Sequence, residues 1–402
     1  MAAAALLAQM YAASAAAQDT GDGSPDSSRV RVRIGPLTIN PTVALTNLGF
    51  DQNVFYEPAD RNPKSDFTFT VVPKAEARLR VARTLLTGTA SEELVWYQRY
   101  ATERAANSRY RIGWDIPINR LGFKVNASRA NVRDRPGFEI DARLQRAETA
   151  YDGSVEVRIM PKTFAGATAR RERVDYDKAA VFLGRNLQFE LNRVTSTTGV
   201  TLRYKLTPIT SIALAATETR QRFEFSPLRD ANASAATVSL LFDPFGIISG
   251  SATFGYTDFE PVDAGVSSFK GATGAVSVSY RLLGNTRVGF DATRDVGFSY
   301  EINEPYYVQT GFTASLARAL YGRVDGVARA GLQTLAYRDR AGTIVQGSNR
   351  VDTIRTVGGG IGYHMGKGVR IGFNVDKGWR RSDVEGRGYD DLRFGSAVTY
   401  GF

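Results

Sequence analysis

Residues 66–81 read DFTFTVVPKAEARLRV, and this stretch decides the architecture. Phe67, Phe69, Val71, Ala75, Ala77, Leu79 and Val81 share one parity. Asp66, Thr68, Thr70, Lys74, Glu76, Arg78 and Arg80 share the other. Side chains alternate across a β-strand, so the segment is a strand with one apolar and one charged face. It runs well beyond the 5 or 6 residues usual in globular sheets.

The same two-faced pattern recurs along the chain. RYRIGWDI (109–116) separates Tyr110, Ile112, Trp114 and Ile116 from Arg109, Arg111 and Asp115. SVEVRI, VTLRYKL, AVSVSYRL and VRIGFNV set Glu156 and Arg158, Arg203 and Lys205, Arg281, and Arg370 and Asn374 opposite their aliphatic residues. Tight connections near Val81–Thr84, Ile116–Arg120, Met160–Thr163, Leu206–Ile209, Asp243–Gly246, Leu283–Asn285, Ala319–Gly322 and His364–Gly368 alternate with longer polar ones. The long ones include Asp51–Ser65, Arg133–Asp141, Asp175–Arg185, Arg338–Asn349 and Arg381–Arg387. That rhythm needs about 18 strands.

Such strands suit a soluble sandwich, whose apolar faces meet each other, or a membrane barrel, whose apolar face meets lipid around a polar lumen. Strand length and the one-sided alternation of turns and loops favour the barrel. So does the N-terminus: Ala2–Ala13 followed by Ser14-Ala15-Ala16-Ala17 has the form of a secretory h-region and cleavage site. No basic residue precedes that apolar run, which suggests a start placed too late. The expected fold is all-β, a single transmembrane antiparallel up-and-down β-barrel. The expected organisation is a signal peptide over 1–17, a flexible periplasmic segment over 18–35 and the barrel over 36–402.

The chain ends RFGSAVTYGF, with Phe394, Val398, Tyr400 and Phe402 at one parity. An apolar alternating ending fits a last strand that closes the barrel against the first. It resembles the C-terminal signal read by the barrel assembly machinery, which the resemblance places on Arg393, Gly395, Val398, Tyr400 and Phe402. IGPLTINPTVALTNLGFDQNVFYEP (34–58), with its Phe50-Asp51-Gln52-Asn53-Val54-Phe55 loop, resembles the start of a proteobacterial outer-membrane β-barrel porin family associated with exopolysaccharide loci. That resemblance implies residence in the bacterial outer membrane, contact with lipid and lipopolysaccharide, and a tie to polysaccharide export components.

Composition excludes much chemistry. There is no cysteine and one histidine, His364, beside a short turn; thiolate catalysis and a histidine-based metal centre are ruled out. GYHMGKG (362–368) departs from a phosphate-binding loop in spacing and in Gly368. Gly358–Gly362 reads as small residues in a curved strand. Asp258, Glu260 and Asp263, like Asp390 and Asp391, read as solvated loop charge. The expectation is therefore no enzyme, no catalytic residue, no metal and no cofactor.

The formal net charge of +10 carries more, and only nine of the 51 basic residues are lysine. Lys74, Arg78, Arg80, Arg109, Arg111, Arg158, Arg203, Lys205, Arg281, Arg287, Arg370 and Arg393 occupy inward parities and are the candidate pore-lining residues. Rings of arginine or lysine select anions, and guanidinium groups grip carboxylate and phosphate. Placement on the outer wall against lipopolysaccharide phosphates is the competing reading; nucleic acid is excluded as a partner by the lipid-facing strands. The expected function is passage of a polar, anionic solute or an exopolysaccharide. The alternatives are a general anion-preferring diffusion porin and a plugged structural or partner-binding barrel.

Overall fold

The computed structural model describes residues 32–243, 246–343, 349–366 and 368–401. The expected signal peptide, the rest of the segment up to residue 31, Phe402, part of the Asp243–Gly246 turn, residues 344–348 and Lys367 lie outside them. A short strand β1 (Val32–Ile34) comes first. The wall begins with β2 (Leu37–Asp51), β3 (Asp66–Val81), β4 (Thr84–Tyr97), β5 (Ala105–Ile118), β6 (Leu121–Asp134), β7 (Leu144–Met160) and β8 (Thr163–Tyr176). A miniature hairpin, β9 (Val181–Phe182) and β10 (Arg185–Asn186), and a helical turn at Leu187–Leu191 follow. The wall resumes with β11 (Arg193–Thr207), β12 (Thr210–Phe223), β13 (Ala231–Phe242), β14 (Ile248–Pro261), β15 (Phe269–Leu282) and β16 (Thr286–Phe298). It ends with β17 (Tyr306–Tyr321), β18 (Val324–Arg338), β19 (Val351–Met365), β20 (Val369–Arg381) and β21 (Tyr389–Gly401).

Every wall strand pairs antiparallel with its neighbour in sequence order, and β21 pairs with β2, so 18 strands close into an up-and-down barrel. Closure leaves no open edge along the wall. Residues 32–34, expected within a flexible segment, instead form β1, which pairs with Leu37–Ile39 of β2. Since β3 occupies the other edge of β2 and β21 pairs only from Thr42 onward, β1 caps the edge that β21 leaves bare.

Register separates the faces. Leu86, Trp114 and Val125 align across β4, β5 and β6, and Leu202, Leu214, Val238 and Phe254 across β11 to β14. These residues point away from the lumen, and Val200 (62%), Phe254 (61%) and Ile361 (63%) are among the more exposed. A continuous apolar wall of this extent belongs against hydrocarbon. Aromatics ring it at both levels: Trp114, Tyr204, Tyr280, Tyr363 and Tyr400 toward the short turns, and Trp96, Tyr110, Tyr151, Tyr256 and Trp379 toward the long loops. Such girdles mark the two bilayer interfaces.

The buried apolar core lies at the long-loop end. Ile140, Leu144, Val174, Tyr176, Ala180, Phe182, Leu187, Leu191, Phe223 and Tyr300 form one cluster, drawn from loops and strand tips. A second joins Ala231, Phe259, Val266, Phe269, Tyr306 and Val308. Tyr306 and Val308 share the outward parity yet are buried. Pairing of β15 with β16 stops at Gly274–Arg294, and beyond it the β16–β17 hairpin leans inward. The Phe298 ring then reaches Phe223 at 4.8 Å, and Tyr306 reaches Phe259 at 5.0 Å.

Candidate functional site

All twelve candidate residues fall on the inward register. Lys74, Arg78 and Arg80 alternate with Ala75, Ala77 and Leu79 on β3, and Arg109 and Arg111 with Tyr110 and Ile112 on β5. Arg158, Arg203, Lys205, Arg281, Arg287, Arg370 and Arg393 hold the same face of β7, β11, β15, β16, β20 and β21. Apart from Arg287, they divide into two groups that the alternation could not distinguish.

The first group is ion-paired. Arg203 grips Glu156 through Nε at 2.8 Å and Nη2 at 2.6 Å, and Arg370 grips Asp325 at the same two distances. Arg329, inward on β18, holds Asp376 likewise, at 2.8 and 2.6 Å. Each bidentate pair joins strands that are not neighbours, passing over a third strand at a glycine. On β8, Gly166 stands opposite Glu156, and Phe164, two residues away, stands opposite Arg203 with its ring 4.2 Å from the guanidinium. Gly358 of β19 lies between Arg329 and Asp376, and Gly362 between Arg370 and Asp325. A Cβ on Gly358 would sit 1.9 Å from Asp376 Oδ1, and one on Gly362 would sit 2.3 Å from Arg370 Nη2. The GGGIG run thus clears a channel for charge across the wall. His364 Nε2 adds a contact to Asp325 Oδ2 at 2.7 Å. Arg109 is shared by Glu93 and Asp134 at 3.1 Å each, and Lys74 meets Glu76 at 2.9 Å. Arg393 binds Asp51 at 3.2 Å and Asp391 at 2.8 Å beside the β2–β21 seam, and donates to Tyr56 Oη.

The second group is not. Among the described residues, Arg78, Arg80, Arg111, Arg158, Lys205 and Arg281 make no ion pair. All are exposed, and all except Arg111 lie within a few residues of a short turn. Uncompensated positive charge therefore gathers at the short-turn end of the lumen.

The long-loop end holds a charged latch. The loop joining β6 to β7 crosses the lumen to the far wall. There the Glu139 carboxylate accepts from Ser299 Oγ at 2.6 Å and from the Tyr300 N–H at 3.3 Å, while its carbonyl accepts from Arg380 at 3.0 Å and Arg387 at 2.5 Å. Burial pushes the Glu139 carboxyl up to about 7, against the opposing pull of Ser299, Arg350 and Arg387. Arg380 also holds Asp141 at 2.9 Å and contacts Asp352, which Arg350 contacts at 2.7 Å. Arg229, with no exposed side chain, donates to the Ser299 and Tyr300 carbonyls and to Glu190. The Asp-x-Asn of the β2–β3 loop ties a second loop in place: Asn53 donates to the Glu57 carbonyl and, across the barrel seam, to the Asp390 carbonyl. Sequence reasoning missed Glu139, Arg229 and Arg350, which lie between wall strands where no parity holds, and Arg380, which holds the inward parity at the end of β20. Asp258 and Glu260 meet Lys270, and Asp263 meets Arg340.

The outer wall carries charge as well. Arg171 and Arg173 on β8, Arg220 and Arg222 on β12, Arg355 on β19 and Arg381 on β20 point outward in the half nearer the long loops. The arginine excess is thus divided between lumen and exterior. Of the assembly-signal residues, Val398 and Tyr400 point outward, paired with Leu45 and Val43, while Arg393 and Gly395 point inward opposite Asp51 and Gly49.

No curated protein sequence matches the chain. Among solved structures it is similar to a BenF-like porin from Pseudomonas fluorescens Pf-5 (11% identity, TM-score 0.51, covering 92% of this chain and 99% of that one). It is also similar to Pseudomonas aeruginosa OpdK crystallised with vanillate (12% identity, TM-score 0.49, covering 90% and 98%). At 11% identity the likeness to the BenF-like porin is one of fold. A family model extends the match to sequence over residues 27–402, and the chain belongs to the putative beta-barrel porin 2 family.

Proposed function

We propose that the protein is an integral outer-membrane channel for small anionic solutes, with short turns in the periplasm and long loops outside. One observation carries this reading: the inward cations without carboxylate partners cluster at one end of the lumen. Fixed charge in a narrow aqueous space focuses the field and concentrates counter-ions. The exopolysaccharide cargo implied by the family resemblance asks for an open bore; the β6–β7 loop packed across the mouth favours a small solute instead. The outward arginines lie at the level where outer-leaflet phosphates sit, which supports lipopolysaccharide as a partner.

Reconstitution in planar bilayers under a salt gradient tests the proposal. The expected reversal potential favours anions, and joint replacement of Arg78, Arg111 and Arg158 by Gln moves it toward cations. A cation-selective wild type would overturn the reading. Absence of conductance would favour a plugged, partner-binding barrel, which the buried loop clusters also suit. Loss of surface polymer with intact anion uptake, on deleting the gene, would restore the polysaccharide cargo.

A further inference from the structure

We propose that β1 completes an anion-binding cradle at the periplasmic mouth, in which Arg33, Arg78 and Arg80 together hold a carboxylate or phosphate group of a solute in the lumen. The inference rests on the channel reading and adds a defined site to it. Arg33 pairs in register with Thr38, and Thr38 with Arg78, so the two arginines flank one threonine on the inward face. Two strand spacings separate their Cα atoms by about 10 Å. Long guanidinium side chains span that gap from both sides. Arg80 stands two residues along β3, its backbone N–H reaching the Pro36 carbonyl at 3.4 Å. These residues, with Pro36, Thr38, Ala82 and Leu85, line a cavity of about 620 Å³.

Three features make this a site and not a scatter of charge. No carboxylate lines the cavity. The Arg33 Nε–H is turned onto the Gly35 carbonyl at 3.3 Å, which anchors the head group and leaves its Nη groups to a ligand. On β1, Val32 and Ile34 continue the outward apolar parity, so Arg33 is the residue that the strand delivers inward. An oxyanion accepts paired N–H donors from arginine in a geometry that lysine does not reproduce. The inward register also separates this site from lipid headgroups.

The test is calorimetric titration of the intact, detergent-solubilised barrel with citrate at moderate salt. Saturable binding is expected, weakened tenfold or more by Arg33→Gln and substantially by Arg33→Lys, with Arg355→Gln on the outer wall as an unaffected control. Because β1 lies outside the closed wall, native heat-modifiable mobility on gels verifies that each variant is folded. Equal affinity in wild type and Arg33→Gln, or no citrate binding at all, would overturn the cradle. Reversal potentials measured on the same preparations keep the two ideas apart, since an anion-selective pore without saturable binding refutes the cradle and leaves the channel standing.

Discussion

The two ends of the lumen use the same residue type in opposite ways. Near the long loops, arginine is structural: Arg380, Arg350 and Arg229 are buried and each is engaged by carboxylates or carbonyls. Near the short turns, Arg78, Arg80, Arg158 and Arg281 are exposed and unpaired. A guanidinium neutralised in place fixes a loop, whereas one left bare sets a potential. The distinction is made by the carboxylates: near the short turns Glu156 and Asp325 clasp Arg203 and Arg370 but leave these four arginines bare.

The sharpest way to break this comparison is Arg380→Ala. It leaves Asp352, fully buried, and Asp141 short of a partner, and should cost about 3–5 kcal/mol. Thermal unfolding followed by circular dichroism in detergent checks this; a change like that of Arg158→Gln, expected near zero, would erase the contrast. Next comes the wall between the two ends. Ile112→Arg places charge against lipid and should cost about 2–4 kcal/mol, whereas the adjacent Arg111→Gln should be tolerated. Folded yield after refolding into bilayers measures both, and equal losses would refute the register.

The latch should also respond to pH. With its carboxyl raised to about 7 when docked, Glu139 favours the docked loop at acid pH. That stabilisation is full below about 4.5 and fades as pH rises through 7, a difference of about 3 kcal/mol. Proteolysis of the β6–β7 loop should accelerate between pH 5 and pH 8 in the wild type and lose this dependence in Glu139→Gln. The smallest effect distinguishes two glycines under ion pairs. Gly166→Ala drives a Cβ to 2.7 Å from the Val155 carbonyl, which is backbone, and overpacking of that kind costs about 1–3 kcal/mol. Gly358→Ala meets only the movable ends of Asp376 and Arg329 and should cost less. The reverse order in melting temperature would show that the pairs, not the backbone, hold the wall.

The wall was legible in the sequence because a barrel strand obeys one rule along its whole length. Alternation in residues 66–81 and RYRIGWDI gave the faces, and turn chemistry gave eight short connections. The apolar ending correctly implied closure of β21 on β2. The latch was not legible. Glu139, Ser299 and Arg380 meet across the lumen from sequence positions up to 241 residues apart, with no periodicity to announce the contact. Tyr306 and Val308 even violate the parity rule, because a hairpin that leaves the wall turns its outer face inward. Pairing was hidden for a related reason: Arg203 and Glu156 belong to second-neighbour strands, and only a glycine on the intervening strand betrays their meeting.

Those glycine-spanning pairs bear on how the barrel closes. A strand that slips by one residue reverses every side chain, and in a wall with lipid outside and water inside such an error is the principal hazard of assembly. On β19, Gly358, Gly360 and Gly362 face inward while Val357, Ile361 and Tyr363 face outward. A one-residue slip would thrust the large side chains beneath Arg329 and Arg370 and push their guanidinium groups off Asp376 and Asp325. Only the correct alignment lets both clasps shut, so the ion pairs act as a proofreading gauge for the three strands β18, β19 and β20.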